Sequence, residues 1–385
     1  MEKSESLRVT RINKLKLFNY RNHKELKIDT DKNFVLFYGR NGTGKTNILE
    51  AVSLLSSKTG FRNSDLQSLI YNSDIKKILN FGVNIEIMSQ NKLINIGVGL
   101  VEKNKRVKKF IKFQKKNTDK NVEDIFKIFW VLPNMNNLFQ SKSKDRRDFI
   151  DAMISSLDRT HNKRIKTYEN LQRQRISILK DFSTKKSNIR WLDIIEREMA
   201  SQAVVISEKR MNLYDLLNQI LDDQIEQLPR IKVFATSGIE EQLKNVPALT
   251  IEEEICKQLT ENRKIDGLIG KTRYSAISSD FKVQNFEKNT DARNCSTGEQ
   301  KVILLSIFFS FIKMLKKQDI KEIIFLLDDI FSNLDQRYAE LILRSLSELN
   351  VQTWITDIEM KIINEKSIFY NQTKFINIED IQVKK

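Results

Sequence analysis

Phe34-Val35-Leu36-Phe37-Tyr38-Gly39-Arg40-Asn41-Gly42-Thr43-Gly44-Lys45-Thr46 joins an apolar run to a glycine-rich loop and the start of a helix. Its first five residues predict a buried strand. The next eight fit G-x-x-x-x-G-K-[ST], and apolar residues at Ile48, Ala51, Val52 and Leu55 predict a helix over Asn47–Ser57. Only 11 of the 385 residues are glycine, so three of them within six positions mark a loop that needs unusual backbone freedom. Glycines let such a loop curl until its N–H groups point inward at the positive end of the following helix, which suits a phosphate. Gly39, Arg40, Asn41, Gly42, Thr43, Gly44, Lys45 and Thr46 are therefore the expected nucleotide cradle. Lys45 is expected to reach the β- and γ-phosphate oxygens, and Thr46 to offer its hydroxyl to Mg²⁺.

A second carboxylate is needed for the metal. Ile323-Ile324-Phe325-Leu326-Leu327-Asp328-Asp329 supplies it, as a buried strand ending in paired acids. Asp328 is the candidate metal residue beside Thr46. Asp329 is the candidate for orienting the attacking water. Taken alone, acids after a strand also suit a helix N-cap.

The subclass rests on Cys295-Ser296-Thr297-Gly298-Glu299-Gln300, whose Gln300 lies 28 residues before Asp328. It resembles the L-S-G-G-Q signature of ABC-type ATPases. That resemblance implies that Ser296, Gly298 and the helix they open bind the γ-phosphate held by another subunit's loop. One loop and one signature per chain then imply a head-to-tail homodimer enclosing two ATP molecules. Ser296 with Glu299 also forms a capping-box pattern, and the two readings are compatible. Ser332-Asn333-Leu334-Asp335 resembles the D-loop of the same superfamily, and also suits a turn before a helix. Asp357 stands where those ATPases commonly carry a switch histidine, which implies altered γ-phosphate sensing and slow hydrolysis. Asn134 occupies the place of their Q-loop glutamine.

Composition excludes several classes. Hydrophobic residues make up 40% and charged residues 30%, a globular balance rather than a disordered one. Residues 1–27 have no apolar core that would read as a secretory signal. The longest apolar stretch, Val302–Leu315, is too short to span a bilayer and contains Lys313. Two cysteines, Cys256 and Cys295, form no CxxC, so neither a disulfide framework nor a zinc site is expected, and a cytoplasmic setting with no membrane partner is. Two histidines, His23 and His161, leave little room for Ser-His chemistry.

Pattern along the chain gives the architecture. Strands are predicted at Leu15–Phe18, Leu26–Ile28 and Phe34–Tyr38, then a meander over Phe81–Met88, Leu93–Val101 and Val107–Phe113, then Ile125–Leu132. From Lys144, three-to-four spacing through Phe149, Met153, Leu157, His161, Ile165, Tyr168 and Leu171 predicts a long helix. After a polar break at Ser183–Asn188 it resumes from Leu192 to Ile220. Two antiparallel helices of about 35 residues would make a hairpin about 50 Å long. Residues 229–290 are mixed. A helix after Ser296, a strand at Glu322–Leu327, a helix over Gln336–Leu349 and a strand at Gln352–Thr356 complete the pattern. The expected fold is α/β: an ABC-type P-loop ATPase head, 1–133 together with 288–385, interrupted by a helical lobe, 134–287, whose hairpin covers about 145–228.

Several further stretches resemble the RecF family, in the branch that also holds SMC, Rad50 and RecN proteins. They are Leu15-Lys16-Leu17-Phe18-Asn19-Tyr20-Arg21-Asn22, Asn47-Ile48-Leu49-Glu50-Ala51 after the loop, Lys58-Thr59-Gly60-Phe61-Arg62, and Arg146-Arg147-Asp148-Phe149-Ile150-Asp151. The signature and Leu327-Asp328-Asp329-Ile330-Phe331-Ser332 resemble the same family, in order along the whole chain. One departure is Gly270-Lys271-Thr272-Arg273-Tyr274-Ser275, where the family tends to carry Gly-Pro-His-Arg before an acid. The resemblance implies an ATP-dependent DNA-binding protein of recombinational gap repair and replication-fork maintenance, connected with DNA damage and the SOS response. It implies ATP-driven dimerisation on duplex DNA near single-strand gaps, some single-stranded DNA binding, and slow hydrolysis for release. RecR, RecO and a RecA recombinase are its implied partners. The alternative is an ABC-type ATPase serving another partner, as an SMC-like chromosome protein or a transporter subunit. The SMC form would need far longer arms.

Charge agrees with a nucleic-acid partner. Lys+Arg number 66 against 50 Asp+Glu, a net +16, although A/T-rich codon usage also favours lysine. The densest run, Val101–Lys120, holds nine basic residues against Glu102 and Asp119. It suits either a sequence-independent phosphate contact or an edge hairpin protected by lysines. Arg62 suits either DNA or nucleotide, and Arg146 and Arg147 suit either DNA or salt bridges within the helical lobe. Phe110 and Phe113, set among these lysines, are expected in the core.

Overall fold

A computed structural model describes residues 10–56, 59–71, 80–103, 106–113, 122–181, 189–222, 228–236, 238–276, 279–332, 334–359, 363, 367 and 369–383. In chain order the elements are β1 (Arg11–Tyr20), β2 (His23–Asp29), β3 (Phe34–Tyr38), α1 (Lys45–Ser53), β4 (Gly82–Ser89), β5 (Lys92–Lys103), β6 (Arg106–Phe113), α2 (Val122–Ile125) and β7 (Lys127–Val131). Then come α3 (Ser143–Leu157), α4 (Arg159–Asp181), α5 (Ile189–Asp222), β8 (Ile231–Ala235), α6 (Ile239–Gln242), α7 (Ala248–Glu261), α8 (Arg263–Ile269), β9 (Phe281–Asn285) and β10 (Thr290–Asp291). The chain ends with α9 (Thr297–Lys317), β11 (Ile323–Asp328), α10 (Gln336–Leu349), β12 (Gln352–Thr356), β13 (Thr373–Asn377) and α11 (Ile378–Val383). These form two compact units, Met1–Met135 with Leu315–Lys385, and Asn136–Met314.

The first unit holds two five-stranded sheets. One is parallel, in the order β13-β3-β12-β11-β7. Every residue of β11 and β12 is buried. Such continuous apolar runs belong to parallel strands covered on both faces. The other sheet is antiparallel, in the order β2-β1-β4-β5-β6. Burial alternates along β4, so one of its faces is inward and the other outward. Helix α1 shares a core with both sheets: Ile48, Leu49 and Val52 lie in one cluster with Leu15, Ile85 and Ile87 of the antiparallel sheet and Val35, Phe37, Ile324 and Trp354 of the parallel one. The buried Gln352 side chain joins the two sheets directly. It accepts from Ile12 N at 2.8 Å and donates to Ile12 O at 3.1 Å.

The second unit is mainly helical. Tyr168 on α4, Ile195, Met199, Ala203 and Ile206 on α5, and Ile251, Ile255 and Leu259 on α7 share its core. The first of the two predicted long helices is in fact two, α3 and α4, separated at Asp158. Asp158 is extended (φ −118°, ψ 101°), and its carboxylate accepts from Thr160 N at 2.9 Å and Thr160 Oγ1 at 2.6 Å. That caps α4, an interaction worth about 1 kcal/mol. Apolar spacing runs through the break unchanged, so periodicity could not reveal it. The Thr160 bonds lower the Asp158 pKa from its ordinary 3.8 to about 2. This contribution is therefore complete above the ordinary carboxylate range and is lost as the pH falls through about 2. The polar break at 183–188 lies outside the described residues.

Residues 229–290, unreadable from pattern, contain a small antiparallel sheet ordered β10-β9-β8 with three short helices between β8 and β9. The second division between units falls at 314/315, later than the expected return at 288. The cause is local packing. Phe149 of α3 stacks near Phe281 of β9 (6.3 Å between centroids) and meets Phe308 of α9 edge-on (5.4 Å), which ties the first part of α9 to the helical unit. Among the described residues no helix is long and apolar enough to cross a membrane.

Candidate functional site

Because the parallel strands run the same way, their carboxyl ends bring separate segments to one edge, the usual ligand edge of such sheets. Gly39 follows β3, Asp357 follows β12, Asp328 and Asp329 end and follow β11, and Glu379 lies two residues past β13. Pro133–Gln140 follows β7 as a 3₁₀ turn, and in it Asn134 is exposed.

The glycines do what the loop requires. Gly39, Gly42 and Gly44 have φ of 140°, 83° and 97°, values that L side chains rarely adopt. Gly44 also has no space for one, since an added Cβ would lie 2.3 Å from Asn22 Nδ2. Asn22 braces the loop from the β1–β2 turn. It donates to Thr43 O at 2.9 Å and accepts from Asn47 Nδ2 at 2.8 Å, while His23 Nε2 lies 3.3 Å from Gly44 O. At the loop's entry, Arg40 N donates to Glu379 Oε1 at 3.0 Å, and Thr43 Oγ1 donates to Arg40 O at 2.9 Å. Asn41 and Gly42 are exposed, and nothing lies within 4 Å of a Cβ placed on Gly42. The Lys45 ammonium folds back to Gly39 O (2.5 Å) and Arg40 O (2.9 Å).

The paired acids meet the loop. Thr46 Oγ1 donates to Asp328 Oδ1 at 2.8 Å, across 282 residues of sequence. Thr356 Oγ1 donates to the same oxygen at 2.7 Å and accepts from Asp329 N at 3.0 Å. Asp329 thus sits in the left-handed region (φ 49°) with its amide fixed by Thr356, a backbone state that costs a non-glycine residue of order 1 kcal/mol or more. Burial raises the Asp328 pKa, against the two threonine hydroxyls and the attraction of Arg62. Burial also raises that of Asp357, whose Oδ1 accepts from Ile358 N and Glu359 N and whose buried Oδ2 has no hydrogen-bond partner among the described residues. Burial lowers the pKa of Lys45, while Asp329, Asp357, Asp328 and Glu379 counteract it in that order.

One ammonium among several carboxylates leaves room for further positive charge. Among the described residues, no group of three or more His, Cys, Asp or Glu side chains could hold a metal by itself. A threonine hydroxyl beside one carboxylate instead fits Mg²⁺, which keeps several waters and takes phosphate oxygens as ligands. The residues thus fit a magnesium–nucleotide pair better than a bare ion.

Thr356, Asn22 and Glu379 were not foreseen as site residues. The first depends on β11 and β12 pairing, with Asp328 opposite Thr356. The other two depend on which turns reach the loop. Arg62 lies beside the glycine loop's helix and the paired acids, donating to Asn47 Oδ1 at 2.9 Å and acting electrostatically on Asp328.

In the other unit, Ser296 and Glu299 form the capping box. Ser296 N donates to Glu299 Oε2 at 2.9 Å, and Ser296 Oγ bonds that same oxygen at 2.9 Å. Ser296 and Thr297 are exposed and Gly298 is half-buried, so the start of a 21-residue helix is open to solvent. Asp335 caps α10 by accepting from Tyr338 N at 2.8 Å; Asn333 lies outside the described residues.

Arg146 and Arg147 are internal ties of the helical unit. Arg146 forks onto Asp280 (2.8 and 2.5 Å), and Arg147 donates to Ser279 O at 2.6 Å. The divergent segment is stitched into the same unit: Arg175 donates to Thr272 Oγ1, and Tyr168 bonds Ser275 Oγ and Ala276 N. The basic run splits by strand alternation. Lys108 and Lys112 are exposed, whereas Lys109 turns inward to Leu54 O. Residues 104–105 and 114–120 of that run lie outside the described ones. Phe113 packs against the core, but Phe110, expected there too, is 41% exposed.

Residues 11–377 match the model of the RecF/RecN/SMC N terminal domain. Among curated proteins, the chain is 32% identical over 375 residues to the DNA replication and repair protein RecF of Rickettsia prowazekii (strain Madrid E), covering 95% of this chain and 99% of that one. It is 30% identical, with the same coverage, to RecF of Rickettsia rickettsii (strain Sheila Smith). Its fold is similar to that of a solved recombination mediator protein RecF, described with ATPrS in the RecFOR pathway: TM-score 0.77, 22% identity, 96% of this chain and 97% of that one. RecF described with ATP gives a TM-score of 0.76 at 22% identity, covering 94% and 96%.

Proposed function

The chain belongs to the RecF family, and from that premise we propose that it is an ATP-gated DNA-binding protein of recombinational gap repair and replication-fork maintenance. The observation that carries the nucleotide part is the 2.8 Å bond from Thr46 to Asp328. It joins the glycine loop to the paired acids at one edge, where a hydroxyl and a carboxylate can share one Mg²⁺. The relatives are named as replication and repair proteins, and their fold neighbours are described with ATP or ATPrS in the RecFOR pathway.

Bound MgATP would supply the γ-phosphorus electrophile and the divalent charge. The chain's own residues do the rest. Loop amides receive phosphate oxygens, and Lys45 exchanges its carbonyl partners for them. Asp329, its backbone pinned by Thr356, orients a water. Ser296, Gly298 and the open start of α9 serve the nucleotide of a second copy, so the competent form is a head-to-tail homodimer. Asp357, with no imidazole in its place, makes hydrolysis slow, and hydrolysis acts to release DNA. The DNA is duplex near single-strand gaps, and RecR-, RecO- and RecA-like proteins are the partners.

The test is binding to labelled gapped duplex with and without MgATP, across a salt titration. Affinity is expected to rise with ATP and to fall steeply with salt, because phosphate contacts release counterions. Equal affinity with and without nucleotide would refute the gating.

A further inference from the structure

The outward face of the antiparallel sheet carries a second constellation. Strand register places Glu25, Phe18, Gly82, Gly99 and Phe110 in one row across β2-β1-β4-β5-β6. The next row on that face holds Lys27, Lys16, Asn84, Gly97 and Lys112. Phe18 is 55% exposed and Phe110 41%. Two phenyl rings therefore stand in water at either side of a floor made by glycines. The result is a groove of about 510 Å³.

The glycines shape it. A Cβ on Gly99 would come within 2.9 Å of the Phe110 ring, so that ring leans over the floor only because Gly99 has no side chain. A Cβ on Gly97 would meet nothing closer than 3.9 Å, so the floor beside the lysines is open. Strands lie about 4.8 Å apart, which sets the backbones of Phe18 and Phe110 roughly 14 Å from each other, with the glycine floor between them open to bases laid on either ring.

Charge selects the occupant. Lys16, Lys27 and Lys112 are all exposed, and the exposed Lys108 lies on the other side of Phe110 along β6. Lys27 pairs with Asp29 at 2.9 Å, whereas Lys16 and Lys112 form no ion pair among the described residues. The opposing acids are Glu25 in the aromatic row, and Glu86 and Asp29, which Lys14 approaches at 3.6 and 3.8 Å. A flat sheet with exposed rings beside a row of lysines matches a chain with aromatic faces and one negative charge per unit. A duplex hides its base faces and would leave both rings unused.

We propose that this face binds single-stranded nucleic acid, with bases stacked on Phe18 and Phe110 and phosphates on Lys16, Lys27 and Lys112. It rests on the DNA-binding reading for its class of ligand, but it needs neither nucleotide nor a second copy. The test uses the full chain without ATP, with fluorescein-labelled oligo-dT and an abasic deoxyribose-phosphate strand of equal length, read by anisotropy at low salt. The wild-type protein is expected to prefer oligo-dT. Phe18→Ala with Phe110→Ala is expected to weaken oligo-dT binding on the order of tenfold or more and to erase that preference. Phe18→Tyr with Phe110→Tyr restores both. Phe18→Ala alone, which leaves the ring over Gly99 in place, loses part of the affinity. Unchanged oligo-dT affinity in the double alanine variant overturns the assignment, as does equal wild-type binding of the two strands. So does a DNA-free dimer that the double variant loses, because the face would then join copies of the chain. ATP-dependent binding of gapped duplex by the double variant, measured alongside, keeps a failure here distinct from failure of the DNA reading.

Discussion

Lys45→Ala is expected to weaken ATP binding by at least about a hundredfold, which corresponds to about 2.7 kcal/mol. The ammonium is the cation nearest the glycine loop's carbonyls, at 2.5 Å from Gly39 O and 2.9 Å from Arg40 O. Hydrogen bonds to charged groups contribute about 1.5–3 kcal/mol each, so losing more than one phosphate contact reaches that figure. A second effect works in the same direction. Asp328, Asp329 and Asp357 all act on Lys45 electrostatically. Without it they present less compensated negative charge to an incoming triphosphate. Alanine is the best helix former, and Lys45 is the first residue of α1, so the fold should survive. Isothermal titration with ATP and Mg²⁺ measures this, with thermal denaturation as the folding control. Wild-type affinity in a folded variant would remove the loop from nucleotide binding.

Arg210→Ala is expected to destabilise the helical unit by about 3–5 kcal/mol. Its guanidinium is 1% exposed and forks onto both oxygens of Asp151 (2.9 and 2.7 Å). It also reaches Glu240 Oε1 (3.3 Å), Ala276 O (2.8 Å) and Ser279 Oγ (3.0 Å). Burial works against its charge, yet Asp151 holds its pKa above the ordinary value. Asp151 is also held by His161 Nε2 at 2.9 Å. Truncation would leave Asp151 and Glu240 buried without their main partner, and most of the cost lies there rather than in lost packing. Asp151→Asn in the same chain should therefore recover part of the loss, as a non-additive cycle of denaturant midpoints. Strict additivity would contradict this account of the pair.

How much of this the sequence disclosed depends on how local each signal was. The strand, glycine loop and helix from Phe34 onward are encoded by neighbours, since positive φ at Gly39, Gly42 and Gly44 is a property of those positions. The bounds of β3, α10 and β12 coincide with their patterns for the same reason. Asp158 was hidden because a helix break that preserves the apolar period looks like no break. Thr356 was hidden because its role depends on the β11–β12 register, which no residue near it reveals. The basic run shows a different limit. Strand alternation puts Phe110 on the same outward face as Lys108 and Lys112, opposite the inward Lys109, yet a phenyl group reads by its type as core. The cross-strand row that sets Phe110 beside Gly99 shows where its ring lies on that face.

The most direct test of ATP-gated dimerisation is sedimentation velocity of the full chain and its Asp329→Asn variant, each with and without MgATP. Monomers are expected without nucleotide, a transient dimer with ATP, and a persistent dimer for Asp329→Asn, whose water is no longer oriented for attack. A variant that stays monomeric at saturating ATP would contradict ATP-gated dimerisation.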